Sequence, residues 1–456
     1  MADNTKRTRK YFGTDGVRDI ANTGNMTPEF ALMLGRAYGL FVKRTRLIEK
    51  PKIVIGRDTR FSGTMILSAL ATGLNSVGVD VTDIGVIPTP GVSFVLAHNE
   101  EFQGGAVISA SHNPAEYNGI KFLDHNGFKL TDENELEIED NMLLDFCENR
   151  PTKSDLGQSD FSDKYANSYL NELKKLFISI AGTNKKIVVD SANGAASEYV
   201  EKIYSLLKSE TSFIANNPNG MNINAMVGVT HMNTLIKETC AKRADLGIAY
   251  DGDADRILMC DSKGRIIDGD IMLWVLARWM FKNNKLGSGV VATVMSNMVL
   301  EDLLKKDGIK VFRCGVGDRY VLDKMREKGS LLGGEQSGHI IALDHANTGD
   351  GISSGILFLK AVEELGDDIS DLVDNFDRYP QVLTNVIIKD KEAVLSHPLL
   401  LEAVEEAERL LGKRGRMLLR PSGTEPMIRI FVESRDQELM NFVAKMLEDV
   451  IKSIVC

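Results

Sequence analysis

Asp251, Asp253 and Asp255 alternate with small residues in Asp251-Gly-Asp-Ala-Asp-Arg256, a segment set between two apolar runs, 246–250 and 257–260. Carboxylates at this spacing on a tight turn converge on one hard cation, and an all-oxygen donor set favours Mg²⁺ or Ca²⁺. The alternative is a solvated acidic turn, in which three clustered charges repel one another. An EF-hand loop is excluded, because it needs Gly at its sixth position and Glu at its twelfth, where this chain has Arg256 and Ser262.

A second chemical segment, Ser109-Ala-Ser-His-Asn-Pro114, directly follows the strand-like run 105–108. It exposes the Ser111 hydroxyl at the carboxyl edge of a sheet, where open α/β sheets bind ligands, so Ser111 is the candidate nucleophile. His112 invites a Ser-His acyl-transfer reading. Adjacent side chains seldom face each other, however, and the G-x-S-x-G elbow of that chemistry is missing. A polar loop held by Asx turns is the other reading. Lys121, in Asn118-Gly-Ile-Lys-Phe122, sits in an apolar strand-like setting, where a lysine can have a lowered pKa and move protons. The bland alternative is a snorkelling lysine on an edge strand.

Several segments carry anion or sugar chemistry. Arg420-Pro-Ser-Gly-Thr-Glu-Pro-Met-Ile-Arg429 joins two strands and combines two arginines, the hydroxyls of Ser422 and Thr424, and the open backbone at Gly423, which together cradle a phosphate. Gly333-Gly-Glu-Gln-Ser-Gly-His339 supplies an acid, an amide, a hydroxyl and an imidazole, a set suited to sugar hydroxyls. Gly315-Val-Gly-Asp-Arg-Tyr320 is either a ligand loop or a plain βα turn. In Phe12-Gly-Thr-Asp-Gly-Val-Arg18 and Ile55-Gly-Arg-Asp-Thr-Arg-Phe-Ser-Gly63, arginines at glycine-flexed turns suggest anion contacts, with surface turns as the alternative. The P-loop motif is absent, and the near match to a dinucleotide fingerprint at 287–292 precedes its strand when it should follow one.

The elements that must position these residues repeat. Strand-like runs at 53–55, 79–84 and 105–109 alternate with helical stretches at 64–74 and 91–98, which argues for βαβ units. The rhythm restarts at 186–190 and at 289–294. The end differs: strand 383–388, helix 399–411, strands 416–420 and 427–433 and helix 437–455 make a smaller α+β domain. The expected organisation is three α/β domains, 1–150, 151–258 and 259–375, followed by an α+β domain, 376–456.

At 456 residues the chain is too long for one core. A formal charge of -10, from 54 basic and 64 acidic residues, gives no general attraction to nucleic acid. Five scattered cysteines, none in a C-x-x-C pair, argue against a disulfide framework and a zinc site and fit a reducing cytoplasm. No secretory signal is expected at the start. The most apolar segment, 271–281, is too short to span a bilayer and contains Arg278.

Together these motifs resemble the α-D-phosphohexomutase superfamily, and within it the branch acting on glucosamine phosphates. The likeness runs from about residue 11 to 432 and rests on FGTDGVR, SASHNP, DGDADR, GVGDRYV, EQSGH and the arginine-flanked loop. It implies three mixed-sheet α/β domains and a smaller α+β domain around a central cleft. It implies that Ser111 is phosphorylated and that Mg²⁺, one per chain, is held by Asp251, Asp253 and Asp255 with Ser111. Arg256 would share that site, Arg18 and Lys121 would be candidate acid and base, and His339 would lie adjacent. Glu335 and Ser337 would read sugar hydroxyls, and Arg420, Ser422, Gly423, Thr424 and Arg429 would bind the phosphate not being transferred.

The implied activity interconverts glucosamine 6-phosphate and glucosamine 1-phosphate through a 1,6-bisphosphate, with a hexose 1,6-bisphosphate as activator, supplying amino sugar for the cell wall. A cytoplasmic homodimer acting on a small sugar phosphate, with neither nucleic acid nor membrane as partner, completes the expectation. A glucose or mannose phosphate mutase shares all this chemistry, and a sugar-phosphate-binding protein that lost activity is the reading outside enzymes. The family commonly has Gly after the arginine of the first motif. Here Asp19 is expected to put an extra carboxylate near a phosphate site.

Overall fold

The structure, a computed structural model, describes residues 8–13, 15–144, 150–180, 183–207, 209–388, 390–421 and 426–455. The chain divides into two compact units, Met1–Met295 with Asp307–Val373, and Ser296–Lys306 with Asp374–Cys456.

The first unit holds three sheets. β1 (Val17–Ile20), β2 (Lys52–Arg57), β3 (Asp80–Val86), β4 (Gly104–Ile108), β5 (Tyr117–Asp124) and β6 (Ser159–Phe161) lie in the order β1-β5-β4-β2-β3-β6. β7 (Ile187–Asp190), β8 (Thr211–Ile214), β9 (Leu246–Tyr250), β10 (Ile257–Asp261) and β11 (Ile266–Ile267) lie in the order β11-β10-β9-β7-β8. β12 (Val290–Thr293), β13 (Val311–Cys314), β14 (Leu332–Gly334) and β15 (Ile340–Ala342) lie in the order β13-β12-β14-β15. β10, paired with β9 over its whole length, runs across the domain limit expected at residue 258.

All three sheets follow one plan. A parallel run, β6-β3-β2-β4, β8-β7-β9 or β13-β12-β14, meets an antiparallel strand, β5, β10 or β15. The connection at that reversal contains Ser111 in the first sheet, the three aspartates in the second, and residues 335–339 in the third. β4 and β9 are buried at every position, as strands covered on both faces must be, which accounts for their unbroken apolar sequence.

Helix Pro28–Arg46 covers the first sheet. Thr27 caps it by accepting the Phe30 N–H, Pro28 opens it, and Phe30, Leu34, Tyr38, Phe41 and Val42 form its buried stripe. Segment 271–281 lies in helix Gly269–Lys282, whose first turn is capped by the Asp268 carboxylate. Among the described residues no helix is long and apolar enough to cross a membrane.

The second unit is a three-stranded antiparallel sheet of β16 (Gln381–Ile387), β17 (Gly415–Pro421) and β18 (Met427–Ser434), in the order β16-β18-β17. Ile428, Ile430 and Val432 share a core with Leu400 and Ala407 of helix Pro398–Leu411 and with Val443 and Leu447 of helix Gln437–Val455. Period-two alternation places Arg429 on the other face of β18, directly opposite Arg420 of β17.

Candidate active site

Ser111 lies in the connection after β4, with its backbone in the left-handed region at φ 49°. That conformation is costly for a side chain with a Cβ, so the surroundings must enforce it. Ser109 supplies part of the enforcement: its Oγ accepts the Ser111 N–H at 2.9 Å and donates to Asp58 at 2.6 Å. Arg60 supplies more. Its Nε donates to Asp58 Oδ2 (2.9 Å), Nη2 donates to the carbonyls of Ser111 and Asn113 (both 2.9 Å), and Nη1 donates to the carbonyls of Tyr117 (3.0 Å) and Pro114.

The expected anion contact at Arg60 is therefore corrected. Its planar fork is fully buried and satisfied by main chain and Asp58, so it is a scaffold for the serine loop. Arg60→Met should destabilise the protein by about 3–5 kcal/mol, because it leaves the Asp58 carboxyl buried and unpaired. The midpoint of urea unfolding checks this, and an unchanged midpoint would contradict the scaffold role.

The turned backbone also overturns the expectation that Ser111 and His112 face apart: Ser111 Oγ lies 3.2 Å from His112 Nδ1. The same hydroxyl donates to Asp251 Oδ2 at 2.7 Å. Burial, reinforced by the Arg256 and Arg18 cations, pushes the His112 imidazole down to about 4, so it is neutral near pH 7.

The three aspartates close the β9–β10 reversal, and the left-handed residue Ala254 (φ 57°) turns the loop so that one oxygen from each lies within 4.8 Å of the others. Gly252 lets this loop meet the serine loop, since a Cβ there would stand 2.6 Å from the Ser111 carbonyl oxygen. Burial raises the Asp251 carboxyl well above the usual carboxylate range, and Asp255 and Asp253 add to the rise. Burial opposes ionisation of Asp253 as well. There, however, the charge and hydrogen bond of Lys121 (2.8 Å) and the Thr89 hydroxyl (2.6 Å) prevail and hold the carboxyl below its ordinary range. Oδ1 of Asp253 and Oδ1 of Asp255 are buried without a hydrogen-bond partner, acceptor oxygens that a hard divalent cation would satisfy. The donor set fits such an ion.

Lys121 departs from its expected state. β5 is an interior strand, and the ammonium is buried between Asp253 and Asp15, both at 2.8 Å, with Asp255 at 3.8 Å. Desolvation favours the neutral amine, but Asp15, Asp253 and Asp255 overcome it and raise the pKa well above the ordinary lysine value. Lys121 is therefore a held cation and a hydrogen-bond donor, not a lysine with a lowered pKa.

Arg18 donates to Asn113 Oδ1 at 3.0 Å and pairs with Asp15 at 3.2 Å. Asp19, one residue along β1, turns the other way: its carboxylate accepts the N–H groups of Ile20 (2.8 Å) and Asn25 (2.9 Å). The expected intrusion of Asp19 on a phosphate site is thus corrected by strand alternation. Arg256 lies beside the triad, its N–H on Asp251 Oδ1 (3.1 Å) and its Nε 3.9 Å from Asp255.

The third reversal joins the same site. His339 Nδ1 lies 3.7 Å from Asp255 and its Nε2 lies 3.7 Å from Asp318, while the Gly349 N–H donates to Nε2 at 3.1 Å. Gly338 (φ 90°) permits the close approach to β10, since a Cβ would stand 1.9 Å from the Ile257 carbonyl oxygen. The Glu335 carboxylate accepts the Gly317 N–H (2.9 Å) and the Ser337 hydroxyl (3.2 Å), tying GEQSGH to GVGDRY.

Ser111, Lys121, Arg18, Arg256, the three aspartates and His339 are thus joined through one network, with Glu335 and Ser337 on the loop that carries His339. Arg420 and Arg429 neighbour each other within the second unit. Ser422, Gly423 and Thr424 lie outside the described residues, as does Thr14 of the first motif.

Sequence reasoning passed over Asp15, Lys129 and Thr89. Asp15 stands inside the quoted FGTDGVR motif and binds Lys121, Lys129 and Arg18. Lys129 also pairs with Asp318. Thr89 opens helix Thr89–His98, whose N-terminal N–H meets the Asp253 carbonyl oxygen at 3.0 Å. No local pattern announces that contact.

Four domain descriptions of one family match the chain: the phosphoglucomutase/phosphomannomutase α/β/α domain I over residues 9–145, domain II over 163–264, domain III over 268–379 and the C-terminal domain over 383–450. The chain belongs to the phosphoglucomutase/phosphomannomutase family. It is 48% identical to a phosphoglucosamine mutase of Desulforamulus reducens, over 96% of this chain and 98% of that protein. It is 44% identical to one of Halalkalibacterium halodurans, over 97% and 98%. Among solved structures, a family protein from Burkholderia thailandensis matches with TM-score 0.79 and 22% identity, over 98% of each chain. An N-acetylphosphoglucosamine mutase of Aspergillus fumigatus, in complex with GlcNAc-6P and magnesium, matches with TM-score 0.60 and 18% identity, over 88% of this chain and 82% of that one. These two structural likenesses establish the fold, with three α/β domains and a smaller C-terminal domain, as the family has.

Proposed function

We propose that this chain is an isomerase that interconverts glucosamine 6-phosphate and glucosamine 1-phosphate by way of a phosphoserine at Ser111. The observation that carries the reading is the Ser111 hydroxyl, 2.7 Å from one member of a buried carboxylate triad whose other members have unpartnered oxygens. The substrate comes from the curated relatives, at 48% and 44% identity over nearly the whole chain, that are named phosphoglucosamine mutases.

The phosphoryl group on Ser111 passes to the 1-hydroxyl of glucosamine 6-phosphate, giving the 1,6-bisphosphate and free Ser111. After the bisphosphate turns over, Ser111 takes the phosphoryl from position 6 and leaves glucosamine 1-phosphate. Phosphoryl transfer asks the protein for alignment and charge neutralisation. Asp251, Asp253 and Asp255 would hold Mg²⁺, which when bound supplies positive charge against the phosphoserine.

The chain's own cations complete the field. Lys121, kept protonated between Asp15 and Asp253, and Arg18, braced by Asp15 and Asn113, donate hydrogen bonds to the transferring group and its acceptor oxygen. The proton that Ser111 sheds when it takes phosphoryl back is directed at Asp251 Oδ2, the acceptor of the hydroxyl at 2.7 Å, with the neutral His112 imidazole 3.2 Å from the same hydroxyl oxygen. Glu335 and Ser337 read sugar hydroxyls, with Arg256 and His339 beside the reacting phosphate.

Arg420, Arg429 and the loop of Ser422, Gly423 and Thr424 take the phosphate not being transferred. Arg420→Ala should raise KM about 10–100-fold, the loss of one charge-assisted contact, with a smaller change in kcat. Steady-state kinetics check this, and an unchanged KM would remove the loop from the substrate site. The same reading includes one Mg²⁺ per chain, a hexose 1,6-bisphosphate that restores the phosphoserine, a cytoplasmic homodimer, and domain limits near residues 150 and 375.

The test is turnover of the phosphorylated protein with Mg²⁺ and a hexose 1,6-bisphosphate, comparing the 6-phosphates of glucosamine, glucose and mannose. Preference for glucosamine 6-phosphate is expected. Equal or better use of glucose or mannose phosphate would keep the chemistry and overturn the substrate, and no turnover of any would overturn the enzyme.

A further inference from the structure

Two side chains grip the serine loop by the same two carbonyl oxygens, and they come from different sheets. Arg60, after β2, donates Nη2 to the carbonyls of Ser111 and Asn113. Asn224, after β8, donates Nδ2 to the Ser111 carbonyl at 2.8 Å and to the Asn113 carbonyl at 2.9 Å. Each carbonyl thus has two donors, one for each lone pair. Asn224 is buried and is itself in the left-handed region at φ 58°, with its N–H on the Ala192 carbonyl at 2.9 Å. The buried Asp190, at the end of β7, secures that neighbourhood by accepting the Ala192 N–H (2.8 Å) and the Gly228 N–H (2.9 Å).

We propose that Asn224 is a positioning residue for the reaction at Ser111: from the second sheet it locks the Ser111 and Asn113 peptides in the left-handed turn that aims the Ser111 hydroxyl at Asp251. Its amide hydrogens are engaged by main chain of the serine loop, so it acts through that loop and not on the substrate. The proposal rests on the phosphoryl-transfer reading for its effect on turnover, whereas the locking itself does not depend on that reading.

Asn224 suits the place for two reasons. Asn tolerates positive φ better than most residues with a Cβ, and its single NH₂ reaches two acceptors at once. Arg60 holds the same carbonyls through a guanidinium braced by Asp58 in the first sheet. Asn224 ties the main chain of the loop to the second sheet, where the aspartates reside. Alignment of the nucleophile with the triad is then set by a contact between the two sheets' connections, and a misplacement of about 1 Å is enough to cost about 10²-fold in rate.

Two full-length variants separate positioning from bulk stability. Asn224→Asp keeps size and tolerance of positive φ but turns a carboxylate toward two carbonyl oxygens. Asn224→Gly keeps the backbone conformation accessible and removes the donor together with the rest of the side chain. Amide hydrogen exchange over residues 109–114 and steady-state kinetics with glucosamine 6-phosphate are measured on each.

The expected result is faster exchange across 109–114 in both variants and a kcat lowered about 10²-fold with KM unchanged, because the groups assigned to sugar and distal phosphate are untouched. Exchange at the parent's rate in both variants overturns the proposal, and so does faster exchange with the parent's kcat. If the parent itself turns over no sugar phosphate, the proposed function fails on its own, and the exchange result alone decides whether Asn224 locks the loop.

Discussion

Ser111→Ala is expected to lower turnover of glucosamine 6-phosphate by about 10⁴-fold or more while leaving the protein folded. The loss is large because the alanine has no oxygen to carry the phosphoryl group, and neighbouring groups cannot replace a covalent carrier. The cost in stability is small by comparison. One hydroxyl-to-carboxylate hydrogen bond of 2.7 Å disappears, worth about 1.5–3 kcal/mol. Asp58, Ser109, Arg60 and Asn224 still hold the loop through its main chain. Kinetics, a thermal melt and intact mass after incubation with a hexose bisphosphate check this together: the parent should gain one phosphoryl group and the variant none. Turnover near the parent's value would take the carrier role away from Ser111.

Magnesium should raise the melting temperature of the parent and leave Asp251→Asn unmoved, with turnover of the variant down about 10³-fold, the worth of several kcal/mol of charge stabilisation. The sign of the metal-free effect follows from Asp251. Burial and its two carboxylate neighbours raise its folded pKa above the unfolded value of about 3.9. The stability tied to that proton is present below about pH 4 and is lost as pH rises toward the folded pKa. Toward neutral pH the metal-free parent therefore loses stability tied to a proton that asparagine does not have to release, and the variant should melt at a higher temperature than the metal-free parent. Saturating magnesium at about 100 times its dissociation constant adds about 2.7 kcal/mol to the parent alone, reversing the order. Melts across pH, with magnesium or a chelator, measure all three effects. Indifference of the parent to magnesium near neutral pH would remove the triad as a cation site.

The triad was legible because three carboxylates at two-residue spacing sit between two apolar runs, and β9 and β10 form where those runs stand. Its convergence was less legible, since it depends on Ala254 at positive φ, a conformation that nothing about alanine foretells. The same blindness hid the Ser111–His112 contact, which a left-handed serine creates.

Lys121 was misread for a different reason. Its apolar flanks correctly announce burial, but the acids that reverse the effect, Asp15 and Asp253, lie far off in the chain and reach it only through the fold. Arg60 looks like a surface turn residue locally, yet its acceptors are carbonyls from residues 111–117. Asp19 was readable in principle: it is next to Arg18 on a strand, so period-two alternation already sends the two apart.

The placement of each reactive loop at the reversal of its sheet has a consequence for how the protein loses activity on heating. A loop anchored at both ends in paired strands, and pinned through its main chain by Arg60 and Asn224 as the serine loop is, opens in the parent only at the cost of those buried hydrogen bonds. Heat inactivation should therefore coincide with loss of the domain as a whole, without an earlier stage in which the chemistry fades from an otherwise native protein.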